Sequence, residues 1–150
     1  SHSLPSARGM GDPISGRVSA DSGVKFISTL IGNDDDKYMI MNTAGYGYIS
    51  EFKNMVSNKK SGKAFMKLPN EAQLLKALRV REDHVYIAAV SNIGRLLIFE
   101  INELPVLPKG KGNKIINIPT PKFVAKEEYM AHAPHHRSSI SRRNARCNLT

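Results

Sequence analysis

Tyr38-Met39-Ile40-Met41-Asn42-Thr43-Ala44-Gly45 and, 49 residues further on, Ile87-Ala88-Ala89-Val90-Ser91-Asn92-Ile93-Gly94 decide the fold. Each is a short apolar run closing on a polar residue and a glycine. Each is followed by a second apolar run, 46–52 in the first case and 95–101 in the second. Two such runs joined by a glycine read as strand, tight turn, strand.

The same period returns outside the hairpins. Arg8-Gly9-Met10-Gly11, Lys60-Ser61-Gly62 and Lys109-Gly110-Lys111-Gly112 align with their last glycines 51 and 50 residues apart. Self-similarity at about 50 residues points to an array of blade-sized units. One unit reads as four strands, near 64–68, 74–80, 85–90 and 95–99, which is the content of a propeller blade. The stretch Glu71-Ala72-Gln73-Leu74-Leu75-Lys76-Ala77-Leu78 contains good helix formers. Its repeat counterpart, 24–31, is rich in Val, Phe and Ile, so a strand is expected in both places. The class is all-β. The chain holds about two full blades, with the closing loop of an earlier one and an opening strand, Ile115-Ile116-Asn117-Ile118, of a later one. Two blades cannot close a ring, so bare strand edges are expected.

The net charge is +9 over 150 residues, which favours a polyanionic or anionic partner. Part of that excess sits in 131–150, which holds Arg137, Arg142, Arg143 and Arg146 and no acidic residue. Apolar periodicity stops near Met130. Residues 131–150 are therefore expected to be a disordered or foreign basic tail, and 1–130 the folded part. No run approaches the roughly 20 apolar residues of a membrane span. The single Cys147 has no internal disulfide partner. A start on Ser1, inside a motif and without a signal peptide, reads as a fragment of a cytoplasmic protein.

Chemistry is concentrated in the three glycine-basic loops, near 8–14, 59–65 and 109–115. Lys109-Gly110-Lys111-Gly112-Asn113-Lys114 places three cations in six residues, spaced by glycines that permit close backbone approach to a phosphate. Arg8 and the group Lys59, Lys60 and Lys63 are sparser versions. If the repeat sets them along one rim, they can follow a bent duplex through phosphates alone. A single such loop reads more readily as a solvated turn; three in register on a basic chain favour binding.

At these loops the sequence resembles a known family. Leu104-Pro105-x-Leu107-x-Lys109-Gly110-Lys111-Gly112-Asn113-Lys114-Ile115-Ile116-Asn117-Ile118-Pro119 looks like a signature of the C-terminal domains of type IIA topoisomerase A subunits, those of topoisomerase IV above all. Leu4-Pro5-Ser6-Ala7-Arg8-Gly9, Ala44-Gly45-Tyr46-Gly47 and Lys59-x-x-Gly62-Lys63-Ala64 also match, so the resemblance covers roughly 3–130. It implies a β-pinwheel, a propeller-like ring whose blades exchange strands, that binds and bends duplex DNA. Together with the reading of the loops above, it leads to expected phosphate contacts at Arg8, Lys59, Lys60, Lys63, Lys109, Lys111 and Lys114. It also implies a parent complex in which the other domains of the A subunit, together with an ATPase B subunit, form A2B2 at the nucleoid in the cytoplasm. Membrane association of that complex stays open. In the parent, Mg²⁺, ATP and the DNA-cleaving tyrosine belong to other domains, so no cofactor and no catalysis are expected of this segment. The Gln-Arg-Arg-Gly-Gly-Lys-Gly box of gyrase A subunits is absent, which favours topoisomerase IV over a gyrase wrapping domain.

The remaining candidates have plainer readings. Tyr38, Tyr46, Tyr48 and Tyr86 lie in strand patterns and are expected to pack, as are Met39, Met41 and Met66. His132, His135 and His136 lack a companion ligand at metal spacing. Asp34-Asp35-Asp36 lacks the alternate spacing of a calcium loop and reads as a turn. Ser61 reads as a turn residue and Cys147 as a free thiol. Two functions stay open: a DNA-binding module, and a protein-docking module for a partner such as a chromosome-organising protein.

Overall fold

The computed structural model describes residues 22–59 and 61–137, with 9–11, 13, 14 and 18 before them. Both decisive stretches form hairpins. β1 (Lys37–Met41) pairs antiparallel with β2 (Tyr46–Glu51), and β4 (His84–Ser91) with β5 (Leu96–Glu100). Their turns are chemically the same. Asn42 N donates to the Tyr46 carbonyl and Gly45 N to that of Asn42; Ser91 N donates to Arg95 and Gly94 N to Ser91. Gly45 (φ 85°) and Gly94 (φ 83°) take the left-handed position that this three-residue hairpin loop requires. The polar residue opening each turn braces it: Asn42 Oδ1 accepts from Ala44 N, and Ser91 Oγ from Arg95 N.

The sheets are assembled across repeats rather than within them. The first has the order β3-β1-β2-β6, where β3 is Leu78–Val80 and β6 is Asn113–Lys114. Lys37 faces Val80 on one side of the hairpin and Tyr46 faces Lys114 on the other. The second has the order β5-β4-β7, with β7 at Met130–His132 and β8 (His135–Arg137) also on β4. Asn42 bridges Leu74 in the first sheet and Ser91 meets Met130 in the second, so 130–137 occupies the place that 74–80 takes one repeat earlier.

Five expectations change accordingly. Only Leu78–Val80 and a bridge at Leu74 are strand in 74–80, and they serve the preceding hairpin. The counterpart 24–31 forms no ladder. Within 64–68 only Met66 bridges, in parallel with Gly110. Ile115-Ile116-Asn117-Ile118 is not a strand: it bends over the first hairpin turn, Ile115 N donating to the Gly45 carbonyl at 2.7 Å, and buries Ile115, Ile116 and Ile118. Backbone pairing also runs past Met130 as far as Arg137, because β4 has an edge to fill; 138–150 lie outside the described residues. Among the described residues, the short helices α1 (Phe52–Met55) and α2 (Thr120–Val124) and a 3-10 turn at Ile101–Glu103 interrupt the otherwise β architecture.

The first hairpin is buried on both faces, which explains its unbroken apolar run. Met39, Met41 and Ile49 face a core shared with Ile87, Ala89, Leu104, Phe123 and Met130. Tyr38, Ile40 and Tyr48 face a second cluster backed by Phe65, Met66, Leu74 and Leu107. Tyr38 and Tyr48 hydroxyls donate to the carbonyls of Ile31 and Phe65, each at 2.7 Å, and burial pushes the Tyr48 hydroxyl up to about 12.

The outer edge of β2 is covered. Ile49 N donates to the Pro105 carbonyl and Leu107 N to that of Ile49. The equivalent edge of β5 is bare among the described residues. Leu97 and Ile98 are 43% and 51% exposed, where Tyr48 and Ile49 are 0% and 5%. In the shared register the Ile98 amide points outward as that of Ile49 does. Its hydrogen is expected to exchange at least about 10-fold faster than that of Ile49, measured residue by residue by NMR; equal protection would mean that the β5 edge is covered.

Candidate nucleic-acid interface

The loop at 109–114 is fixed at three points. Gly110 lies between two backbone partners, donating to the Phe65 carbonyl and accepting from Lys67 N, both at 2.9 Å. Gly112 (φ 78°) rests on the backbone of Gly47, where a Cβ would meet that residue's carbonyl. Asn113 and Lys114 then pair with Gly47 and Tyr46. The glycines expected from sequence to permit phosphate approach thus first permit the loop to approach β2. That tight seat orders a segment which in isolation would be a free turn.

The lysines follow from the seat. Lys111 Nζ stands 4.0 Å from the centroid of the Tyr46 ring. Lys114 Nζ is 5.9 Å from the same ring and donates to Asn117 Oδ1 at 2.8 Å. Lys109 is exposed at the head of the loop. The ring and both lysines line a cavity of about 320 Å³ together with Ala44, Pro69, Ile118 and Phe123. The strand pattern marks Tyr46 only as a packing residue; its contact with two cations is hidden in the sequence because it depends on the third repeat folding back on the first hairpin.

The other candidates are arranged differently. Lys59 is exposed, and Lys63 Nζ donates to the Asn54 carbonyl at 2.9 Å, turned toward its own segment. The Met66–Gly110 bridge joins the exit of this loop to the third one. Arg8 and Lys60 lie outside the described residues. Among the described residues, neither Lys59, Lys63, Lys109, Lys111 nor Lys114 pairs with a carboxylate. The acidic partners go elsewhere: Asp36 to Arg79 at 2.6 Å, Glu51 to Lys53 at 2.8 Å and Glu128 to Arg95 at 2.7 Å. The Asn33 amide and the Arg79 guanidinium hold the Asp36 carboxyl below its ordinary value, so this aspartate of the 34–36 turn is engaged internally. Among the described residues no group of three or more His, Cys, Asp or Glu could hold a metal ion, and no helix is long and apolar enough to cross a membrane.

Comparison with known proteins is consistent across sequence and structure. The chain is 43% identical over 130 residues to the DNA topoisomerase 4 A subunit of Pseudomonas aeruginosa, and 37% identical over 128 residues to that of Escherichia coli. These matches span 86% and 85% of the chain but 17% of each relative. The solved Escherichia coli ParC C-terminal domain superposes with a TM-score of 0.82 at 36% identity, over 88% of this chain and 54% of that one. The chain groups with the C-terminal domains of topoisomerase IV A subunits. A second structure, a C-terminal domain of DNA topoisomerase IV, superposes with a TM-score of 0.71 at 16% identity and supports the fold alone. No family model matches. The all-β, β-pinwheel expectation therefore holds for this topoisomerase IV-like segment, and the cross-repeat sheets are its strand exchange in atomic form. Its length is a small share of the relatives it matches.

Proposed function

We propose that this chain is the part of a type IIA topoisomerase A subunit that binds and bends duplex DNA, without an active site of its own. The observation that supports this most is the 109–114 loop. It is seated rigidly on β2, it holds three lysines free of carboxylates among the described residues, and it belongs to a chain of net charge +9. Lysines offer point charges to phosphates rather than bidentate contacts to bases, so binding is sequence-tolerant. Lys59 and Lys63, on the preceding loop, extend the surface; Lys60 and Arg8, expected from the sequence to join it, lie outside the described residues. In the longer protein the other domains of the A subunit, with an ATPase B subunit, supply cleavage, Mg²⁺ and ATP, in the cytoplasm at the nucleoid.

The test is duplex-DNA affinity across a salt titration, with the whole chain kept so that β7 and β8 remain. Replacing Lys109, Lys111 and Lys114 by alanine is expected to flatten the log–log salt slope by about 2.7, or about 0.9 per phosphate contact. The loss should be uniform across DNA sequences. Equal slopes for folded wild type and variant would move the function to protein docking.

A further inference from the structure

We propose that Tyr46 is a positioning residue for DNA binding, acting through Lys111 and Lys114; this rests on the function proposed above. A lysine ammonium on a four-carbon stem samples many rotamers, and ordering it against a phosphate costs entropy. Here the ring of Tyr46 stands under Lys111 Nζ at 4.0 Å and near Lys114 Nζ at 5.9 Å. The ring face attracts both cations, and Asn117 Oδ1 accepts a hydrogen bond from Lys114 Nζ at 2.8 Å. Two like charges are thus kept together on one ring before any anion arrives.

The arrangement is specific to the seam between repeats. Tyr46 is the first residue after the Gly45 turn and pairs with Lys114, so the first repeat supplies the ring and the third supplies the cations. The equivalent position in the second hairpin is Arg95, which turns to Glu128 instead. The aromatic platform therefore exists at one hairpin of the two described, beside the loop densest in lysine. A phosphate that binds there finds both ammonium groups already placed, while the ring stays beneath them and need not touch DNA.

The experiment separates the ring's charge distribution from its bulk. Tyr46→Phe keeps the ring; Tyr46→pentafluorophenylalanine keeps the shape and inverts the polarity of its face; Tyr46→Leu removes the ring. Thermal melting establishes that each variant is folded. Without DNA, the Lys111 side-chain protons are expected to show upfield ring-current shifts that persist with Phe and vanish with Leu. In the DNA titration, Phe should match wild type, while Leu and the fluorinated ring weaken binding about 2–5-fold, the range that a solvent-exposed cation–π contact provides. In a Lys111→Ala/Lys114→Ala background the fluorinated ring should change affinity less than about 1.5-fold, since the residues it acts through are gone.

Failure is readable at each step. No DNA binding by wild type would overturn the proposed function, whatever the ring-current shifts show. Ring-current shifts with wild-type affinity for the fluorinated variant would overturn the positioning role and leave DNA binding intact. An equal loss in the lysine-free background would mean that Tyr46 touches DNA itself, which also overturns it.

Discussion

Gly112→Ala is expected to destabilise the protein by about 3–4 kcal/mol, while Gly62→Ala costs about 1–2 kcal/mol. The two glycines share one conformation, with φ of 78° and 77°. The steric cost of a left-handed alanine is therefore common to both. Their surroundings differ. A Cβ on Gly62 meets nothing within 4 Å, whereas one on Gly112 runs into the Gly47 carbonyl and lies 3.0 Å from Tyr48 Cδ1. Backbone cannot rotate out of the way, so the loop must lift, and β6 loses its pairing with Tyr46 and Gly47. Ile115, Ile116 and Ile118, each 3% exposed, are then loosened from the core. Urea unfolding of the two variants reads the difference directly, with unchanged m-values as the check on two-state behaviour. Equal losses would show that Gly112 is not seated on β2. DNA affinity should fall with Gly112→Ala and stay near wild type with Gly62→Ala.

Arg95→Ala is the second large effect, at about 2–3 kcal/mol. Glu128 is 1% exposed and its Oε1 accepts from Arg95 at 2.7 Å; among the described residues Oε2 has no hydrogen-bond partner. Removing the guanidinium leaves a carboxylate in the interior without a cation, the costly way to break such a pair. The Arg95 side chain is itself about half exposed, which places the cost below that of a fully buried pair. The site also matters mechanically. Residues 127–130 grip both hairpin turns: Asn92 donates to the Glu127 carbonyl and accepts from Tyr129 N, and Met130 N donates to the Thr43 carbonyl. Adding Glu128→Met to Arg95→Ala should recover most of the loss, because an apolar side chain of similar length needs no counter-charge. A double mutant as unstable as the single one would show that Arg95 acts through its contact with the Asn117 carbonyl or its packing instead.

The two hairpins are legible in the sequence because each is closed by its own local chemistry, a polar residue at the turn's start and a glycine at its end. The helix formers of 71–78 do not make a helix, and Leu78–Val80 pairs as strand, as the repeat implies. What the sequence conceals is the partner of each flanking strand. Periodicity reports which residues are apolar, and Leu78–Val80 looks the same whether it serves the hairpin before it or after it. The same blindness makes Met130 look like an end: β7 and β8 carry little apolar signal because backbone pairing with β4 places them. At the candidate interface the lysines of 109–114 are visible as a motif. The role of Tyr46 is not, since the cation contact requires a return of the chain across a whole repeat. Lys63, expected beside them, turns to Asn54 because its own loop has no β2-like seat among the described residues.

The crossed assembly of the first sheet bears on how the chain folds as it is made. Each hairpin can close as soon as its own turn exists, but Lys37 must wait for Val80, and Tyr46 for Lys114, before its edge is sealed. Contacts this distant in sequence are slow to form. At the pace of translation, about 5–20 residues per second, the first hairpin spends several seconds with unsatisfied edges facing other nascent chains. Synthesis that halts before Lys114 releases a product whose best-formed element is also its stickiest. Completion of the loop that carries the lysines is thus also the step that makes the earlier part of the chain safe from aggregation.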